Sequence, residues 1–310
     1  MCRRMTVWSG REDVADGAAG HRWHQRVDVS GREPSRGEVG LLGFASDEGV
    51  RRNLGRPGAS AGPGALRRAL ANLPAADVAV VDGGDVDVQH GDLESAQAAY
   101  AEVVAAWLAR GARVVGLGGG HEIAWASASG WLRRVGSERR CGLLNLDAHL
   151  DLRRAPQATS GTPFLQALTY ASTAGVSLAY RAVGISVFAN TAALFETARA
   201  HGVDVVLDDD TRLQDPAAAA ADVLAWLSTV DSVYMTLCLD VFPGDAAPGV
   251  SAPAAMGVAP RVVEAVLGAV AASGKLALFD VAELNPRFDV DGRTARLAAR
   301  MVGRVVSAWR

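Results

Sequence analysis

Residues Leu143-Leu144-Asn145-Leu146-Asp147-Ala148-His149-Leu150-Asp151 join an apolar run of strand character to three potential metal ligands at alternate positions. In extended backbone, residues i, i+2 and i+4 project to one side. Asp147, His149 and Asp151 are therefore expected to converge. Two carboxylates and an imidazole suit a hard or borderline divalent cation such as Mn²⁺, Zn²⁺ or Fe²⁺. The competing reading is a charged strand end facing water. The rest of the chain weighs between them.

Outward from this stretch, β-rich runs are expected at residues 39–44, 78–81, 114–117, 143–146, 178–185, 203–207, 233–239 and 276–279. Ala-rich helical stretches lie between them, most clearly at 93–109, 191–201, 216–227, 260–272 and 294–309. Pro216 and Pro260 stand where a first-turn proline is tolerated, and Asp92 is placed to cap the longest of these helices. Strands alternating with helices imply right-handed crossovers and a mainly parallel sheet covered on both faces. The expected fold is thus α/β, a three-layer α/β/α arrangement around a sheet of about eight strands. Residues 1–37, rich in Gly, Arg, Asp and Ser, show no period and read as an irregular N-terminal segment. Residues 38–310 show no linker or repeat and read as a single catalytic domain.

Of the 310 residues 49% are hydrophobic and 21% charged, enough apolar material for a large core. A net charge of -3 gives no reason to expect nucleic acid or an anionic membrane as partner. No apolar run is long enough for a transmembrane helix, and the N-terminal MCRRM is not followed by the apolar core of a secretory signal. Cys2, Cys141 and Cys238 are far apart and odd in number, which argues against a disulfide framework and for a reducing cytoplasm.

Ligands of parallel sheets gather at the carboxyl ends of strands, and polar residues follow several expected strands here. Gly118-Gly119-Gly120-His121-Glu122 comes after 114–117, where glycines permit a tight turn that brings His121 close to a ligand. A phosphate loop is disfavoured, because the Gly-x-Gly-x-x-Gly spacing fails at His121 and no Lys-Ser/Thr follows. Cys238 and Asp240 alternate at the end of 233–239. Cys238 reads either as a thiolate ligand or as a small buried apolar residue. After 276–279, Asp280-Val281-Ala282-Glu283-Leu284-Asn285-Pro286 offers carboxylates to a cationic substrate group, or else caps and solvent-facing acids. Gly58-Ala59-Ser60-Ala61-Gly62 matches the nucleophile-elbow pattern. Flanked by Arg56-Pro57 and Pro63, it reads as a loop.

From about residue 37 onward these segments occur in the order seen in the ureohydrolases, the superfamily of arginase, agmatinase and formimidoylglutamase, which the chain resembles. The resemblance rests on GGGHE, DAHLD, the Cys238/Asp240 strand end and Glu283-x-Asn-Pro, with Gly62-Pro63 before a helix and an Asp82-Gly83-Gly84-Asp85 turn. It implies an arginase-like fold with two Mn²⁺ ions, to which His121, Asp147, His149, Asp151, Cys238 and Asp240 match as ligands. It also implies a metal-bridging hydroxide as nucleophile toward an amidine carbon. Asp151 would orient that nucleophile and Glu283 would hold the amidine group, which makes them the expected catalytic residues. A homo-oligomer is implied as well.

Two departures bear on this. Cys238 falls where the family pattern has a bridging aspartate, and a soft thiolate favours Zn²⁺ or Fe²⁺ over Mn²⁺, leaving one metal position open. Thr159-Ser160-Gly161-Thr162-Pro163-Phe164 lies where arginases carry a further His suited to proton transfer, so that shuttle is expected to be missing. The SGTPF and APGVSAP segments are most similar to formimidoylglutamases, which hydrolyse N-formimidoyl-L-glutamate to L-glutamate and formamide in histidine degradation. A substrate with two carboxylates calls for cations. Arg153 is preferred over Arg154, because it continues the alternation of Asp147, His149 and Asp151. Pairing of both arginines with surface acids is the alternative. Ser160 and Thr162 can add hydrogen bonds to a carboxylate. The rival readings are an agmatinase or guanidino-acid hydrolase, and a non-catalytic relative with an impaired metal site.

Overall fold

The computed structural model describes residues 7–135 and 139–309, so Cys2 lies outside the described residues. In chain order the elements are α1 Trp23–Arg26, β1 Val39–Ala45, α2 Glu48–Arg52, α3 Gly62–Ala71, β2 Val80–Asp87 and α4 Leu93–Ala109. There follow β3 Arg113–Gly118, α5 Ile123–Leu132, β4 Cys141–Leu146, α6 Pro163–Thr173, β5 Leu178–Ile185, α7 Ala192–Ala200 and β6 Asp204–Leu207. The chain closes with α8 Pro216–Leu227, β7 Ser232–Cys238, α9 Pro260–Ala272, β8 Leu276–Ala282 and α10 Arg293–Ala308. The strands make one eight-stranded sheet in the order β2-β1-β3-β8-β7-β4-β5-β6, and every paired ladder is parallel.

Successive residues of one strand feed opposite cores, as the period of two requires. Val115, Leu144 and Phe279 pack with apolar residues of α3, α8, α9 and α10. Their neighbours Val114, Leu143 and Leu278 pack with α4, α5, α6 and α7 on the other face. Burial on both faces is why these strands read as continuous apolar runs rather than alternating ones. Pro216 and Pro260 open α8 and α9, and Asp92 caps α4 by accepting from the Ser95 N–H at 3.1 Å.

Two boundaries differ from expectation. Residues 82–85 are not a turn: β2 runs through them to Asp87, with a register shift against β1 between Leu41 and Gly43. From α3 the wholly buried Arg67 donates from Nε and Nη2 to Asp82 at 2.8 Å each, and from Nη1 to Asp85 at 2.5 Å. These ion pairs hold within the strand, as a bulge with Gly84 at a φ of 80°, a segment whose Asp-Gly content favours a turn. Strand β8 likewise runs on to Ala282, so Asp280 lies within it. Helix α5 gave no amphipathic signal because it is buried almost all round.

The described part of the N-terminal segment packs on the sheet edge. Trp23 is buried and stacks with Trp8, the Trp8 Nε1–H donates to Asp82 at 2.7 Å, and Asp28 bridges to Val81. Ser60 of the elbow-like sequence is exposed, lies in a short 3-10 turn rather than on a strand-to-helix elbow, and donates to Asp47 at 3.1 Å.

Candidate metal centre

Four strands that are neighbours in the sheet, β3, β8, β7 and β4, deliver the polar residues from their carboxyl ends. His121 follows β3 after the turn at Gly119 and Gly120. At Gly119 any side chain is excluded, since a Cβ would lie 1.8 Å from the Ser46 carbonyl oxygen. Asp147 follows β4, Cys238 ends β7, Asp240 sits in the short 3-10 turn Leu239–Val241, and Glu283 follows β8.

These side chains form two overlapping groups. Donor atoms of His121, Asp147 and Cys238 all lie within 4.8 Å of one another, as do those of Asp147, His149 and Asp240. Asp147 belongs to both. Asp151 joins the first group, its Oδ2 being 3.1 Å from His121 Nδ1. His149 Nδ1 is 3.1 Å from Asp240 Oδ2 and 3.5 Å from Asp147 Oδ1.

The residues fit divalent cations. His121 Nδ1 is 3.0 Å from Asp147 Oδ2, yet it is a buried atom without a hydrogen-bond partner among the described residues. Asp240 Oδ1 and Glu283 Oε2 share that condition. Buried polar atoms left unpaired at one point are what a ligand or ion is needed to satisfy. Charge argues the same way, with the carboxylates of Asp147, Asp151, Asp240 and Glu283 facing two imidazoles. Burial and the Asp147, Asp240 and Glu283 carboxylates push the Cys238 thiol well up, so a thiolate here needs a cation beside it. Burial, with Asp240 and Glu122 nearby, pushes Glu283 up to about 8.

The convergence is not the one that strand alternation suggests. β4 stops at Leu146, and Asp147, Ala148 and His149 form a bend in which the His149 N–H donates to Asp147 Oδ1 at 2.7 Å. Asp151 then takes a positive φ of 46°, and Glu283 one of 71°. A left-handed backbone is costly for a carboxylate residue and persists where its surroundings fix it. Glu283 is fixed by its N–H to the Gly119 carbonyl at 2.7 Å and by its Oε1, which accepts from the His121 N–H at 2.9 Å. Asp280, read as a second candidate for a cationic group, is fully buried below the site. It accepts from Ser127 Oγ at 2.6 Å and Tyr234 Oη at 2.8 Å.

The sequence model of the arginase family matches residues 37–307. The chain belongs to the arginase family. A formimidoylglutamase from Ralstonia nicotianae is 51% identical over 307 residues, covering 97% of this chain and 94% of that protein. One from Rhodococcus jostii is 50% identical with the same coverage of 97% and 94%. Among solved structures, the Trypanosoma cruzi formiminoglutamase with Mn²⁺ superposes with a TM-score of 0.79 at 27% identity, covering 87% of this chain and 93% of that one. The formimidoylglutamase of Bacillus subtilis, 21% identical, shares the fold with a TM-score of 0.84 over 98% of this chain and 95% of that one.

Around this arginase-family centre, His121, His149, Asp151, Cys238, Asp240 and Glu283 line one pocket of about 180 Å³ together with Arg153, Ser160, Asn53, Gly55, Ser251 and Ala252. Arg154 faces neighbouring surface clefts instead. Neither arginine is ion-paired among the described residues, so pairing with surface acids is not seen. Thr162 does not line this pocket. Its hydroxyl donates to Gln166 at 2.8 Å and accepts from the Thr159 N–H at 3.0 Å, and it lines a different cleft, because the loop uses this hydroxyl to turn into α6. Phe164 packs edge-on to the His121 ring, with centroids 5.2 Å apart.

Sequence reasoning missed Thr236. Its Oγ1 lies 3.0 Å from His121 Nε2, and it is the register partner of Asp280 on β8. With Nδ1 turned to the cluster, Nε2–H donates to Thr236, which fixes the ring and its tautomer. Thr236→Val keeps the shape and removes the acceptor. It is expected to weaken divalent-metal binding about 10- to 100-fold in calorimetric titration, and unchanged affinity would contradict this role.

Proposed function

We propose that this chain hydrolyses N-formimidoyl-L-glutamate to L-glutamate and formamide using two divalent ions, with Mn²⁺ as the first candidate and Zn²⁺ or Fe²⁺ as alternatives admitted by Cys238. The observation that carries the reading is a single pocket lined by residues of both ligand groups, by the Glu283 carboxylate and by Arg153, whose guanidinium has no ion-pair partner among the described residues. The formimidoylglutamases that match nearly the whole chain support this choice of substrate. His121, Asp147, Asp151 and Cys238 would hold one ion, and Asp147, His149 and Asp240 the other. Bound there, the ions supply Lewis acidity and a nucleophile from water near neutral pH.

The chain's own residues supply the rest. Glu283, with Oε1 fixed by the His121 N–H, presents the unpaired Oε2 to the amidine N–H groups at the pocket floor. Asp151, with the most exposed side chain of the ligand carboxylates, is placed to take a proton from the attacking water. The water oxygen bonds to the formimidoyl carbon, the bond from that carbon to the glutamate nitrogen breaks, one water proton goes to that nitrogen and the other to the imino nitrogen that leaves in formamide. Arg153, with Ser160 beside it, would hold a substrate carboxylate nearer the mouth. The reading carries with it a cytoplasmic location, supported by the free thiols of Cys141 and Cys238. It also carries a homo-oligomer, supported by the exposed apolar side chains of Phe188 and Met256 beside one cleft.

Arg153→Ala separates this substrate from the cationic ones. Loss of a charged hydrogen-bonding group is expected to raise KM for N-formimidoyl-L-glutamate about 10- to 100-fold. Agmatine, whose tail is cationic, should gain rather than lose. A variant with wild-type KM for the dicarboxylate would contradict the assignment.

A further inference from the structure

The loop after α2 contributes Asn53 and Gly55 to the pocket lining, and Asn53 has no sequence motif around it. Asn53 is half-buried, and its Nδ2 donates to Ser160 Oγ at 3.2 Å. A Cβ placed on Gly161 would lie 2.7 Å from Arg153 Cδ and 3.1 Å from Asn53 Nδ2. The Arg153 stem and the Asn53 amide therefore press on the same glycine from two segments a hundred residues apart. Only a residue without a side chain lets them approach the same point.

The loop that presents Asn53 is anchored from both ends. Before it, Gly49 N–H and Ser46 Oγ donate to the buried Glu122 at 2.9 and 2.7 Å, and Asn53 N–H itself donates to the Gly49 carbonyl at 2.9 Å. After it, Arg56 donates through N–H to Ser251 Oγ at 2.9 Å and through Nε to the Ser251 carbonyl at 2.8 Å, while its guanidinium lies 4.0 Å over the Phe288 ring. A side chain held this firmly has lost most of its conformational entropy before any ligand arrives, which is the condition for a useful binding contact.

We infer that Asn53 is a substrate-specificity residue, completing with Arg153 and Ser160 a site for the distal carboxylate of a glutamate-like ligand. This rests on the reading given under Proposed function. Three points of chemistry carry it. Ser160 accepts the Asn53 N–H, which leaves its own hydroxyl hydrogen to donate outward. The Asn53 amide has a second N–H, and Arg153 has a guanidinium without an ion-pair partner among the described residues. All of these are donors, arranged as a carboxylate requires. Depth assigns which carboxylate: of the residues lining the pocket, His121 and Cys238 are 1% exposed, whereas Arg153 is exposed and Asn53 half-buried. With the amidine at the floor, the carboxylate farthest from it reaches the mouth.

The test is a cycle between residue and ligand. Wild type, Asn53→Ala and Asn53→Asp are compared with N-formimidoyl-L-glutamate and with N-formimidoyl-L-glutamine, which lacks the distal charge. Binding of the products L-glutamate and L-glutamine is followed in parallel by calorimetry on the metal-loaded protein. Asn53→Ala is expected to weaken the dicarboxylate about tenfold, mainly in KM and in glutamate affinity. It should weaken the glutamine ligands by a smaller factor, because their distal amide offers one neutral acceptor oxygen in place of two charged ones. Asn53→Asp should be worse still with glutamate, by repulsion, and should relatively favour glutamine. Equal losses for both ligand series, or glutamate affinity unchanged by either variant, would overturn the assignment. Absence of turnover in the wild type would instead overturn the reaction, and the glutamate titration would still decide the role of Asn53.

Discussion

Asp147→Asn is expected to remove metal and activity together. Asp147 is the one carboxylate common to both ligand groups, it is wholly buried, and Oδ1 and Oδ2 face different histidines. Against the cost of burial, His121 and His149 hold it below the usual carboxylate range, so it stands ionised and ready as a ligand. The amide is nearly isosteric, but it loses the charge and offers one oxygen in place of two. Since metal in such sites contributes several kcal/mol of transition-state stabilisation, kcat/KM should fall on the order of 10³-fold or more. Elemental analysis of the purified variant should show less metal at both positions. Retention of full metal content with near-normal turnover would show that the two groups are not one centre.

Arg67→Met is expected to cost about 3–5 kcal/mol of stability, because it removes the counter-ion of Asp82 and Asp85 from a largely desolvated site. Arg67 is 0% exposed and joins α3 to Asp82 and Asp85 on the edge strand β2. Burial already raises the Asp85 pKa, so loss of the guanidinium leaves that group either charged without its counter-ion or protonated. Urea denaturation should show a lower midpoint at unchanged slope. A shift of under about 1 kcal/mol would mean that the edge relaxes enough for water to replace the arginine.

Legibility followed physics. Runs such as 178–185 and 216–227 were readable because apolar content, helix-opening prolines and strand length agree. The arrangement of strands was not readable. Nothing local in 233–239 and 276–279 says that β7 and β8 insert between β3 and β4, yet that insertion is what brings His121 near Asp147. Asp147, His149 and Asp151 converge, but through a bend and a left-handed residue rather than through strand alternation. Spacing alone therefore predicted the convergence for an incomplete reason. Asp82 and Asp85 looked like a turn because Arg67, fifteen residues before Asp82, acts only through tertiary contact. Thr236 and Asn53 carried no signal, since a threonine within a strand and an asparagine in a loop are ordinary. Their importance comes from what lies 3.0 and 3.2 Å away, His121 and Ser160.

The most direct test of the central claim is glutamate release from N-formimidoyl-L-glutamate by the purified chain. It would be stripped with chelator and reloaded with Mn²⁺, Zn²⁺ or Fe²⁺, with bound metal counted in the same samples and arginine and agmatine run alongside. The account predicts no release from the stripped protein and release restored as two ions bind, with the formimidoyl substrate strongly preferred. Two bound ions without release from any of the three substrates would contradict it, as would agmatine turning over faster than N-formimidoyl-L-glutamate.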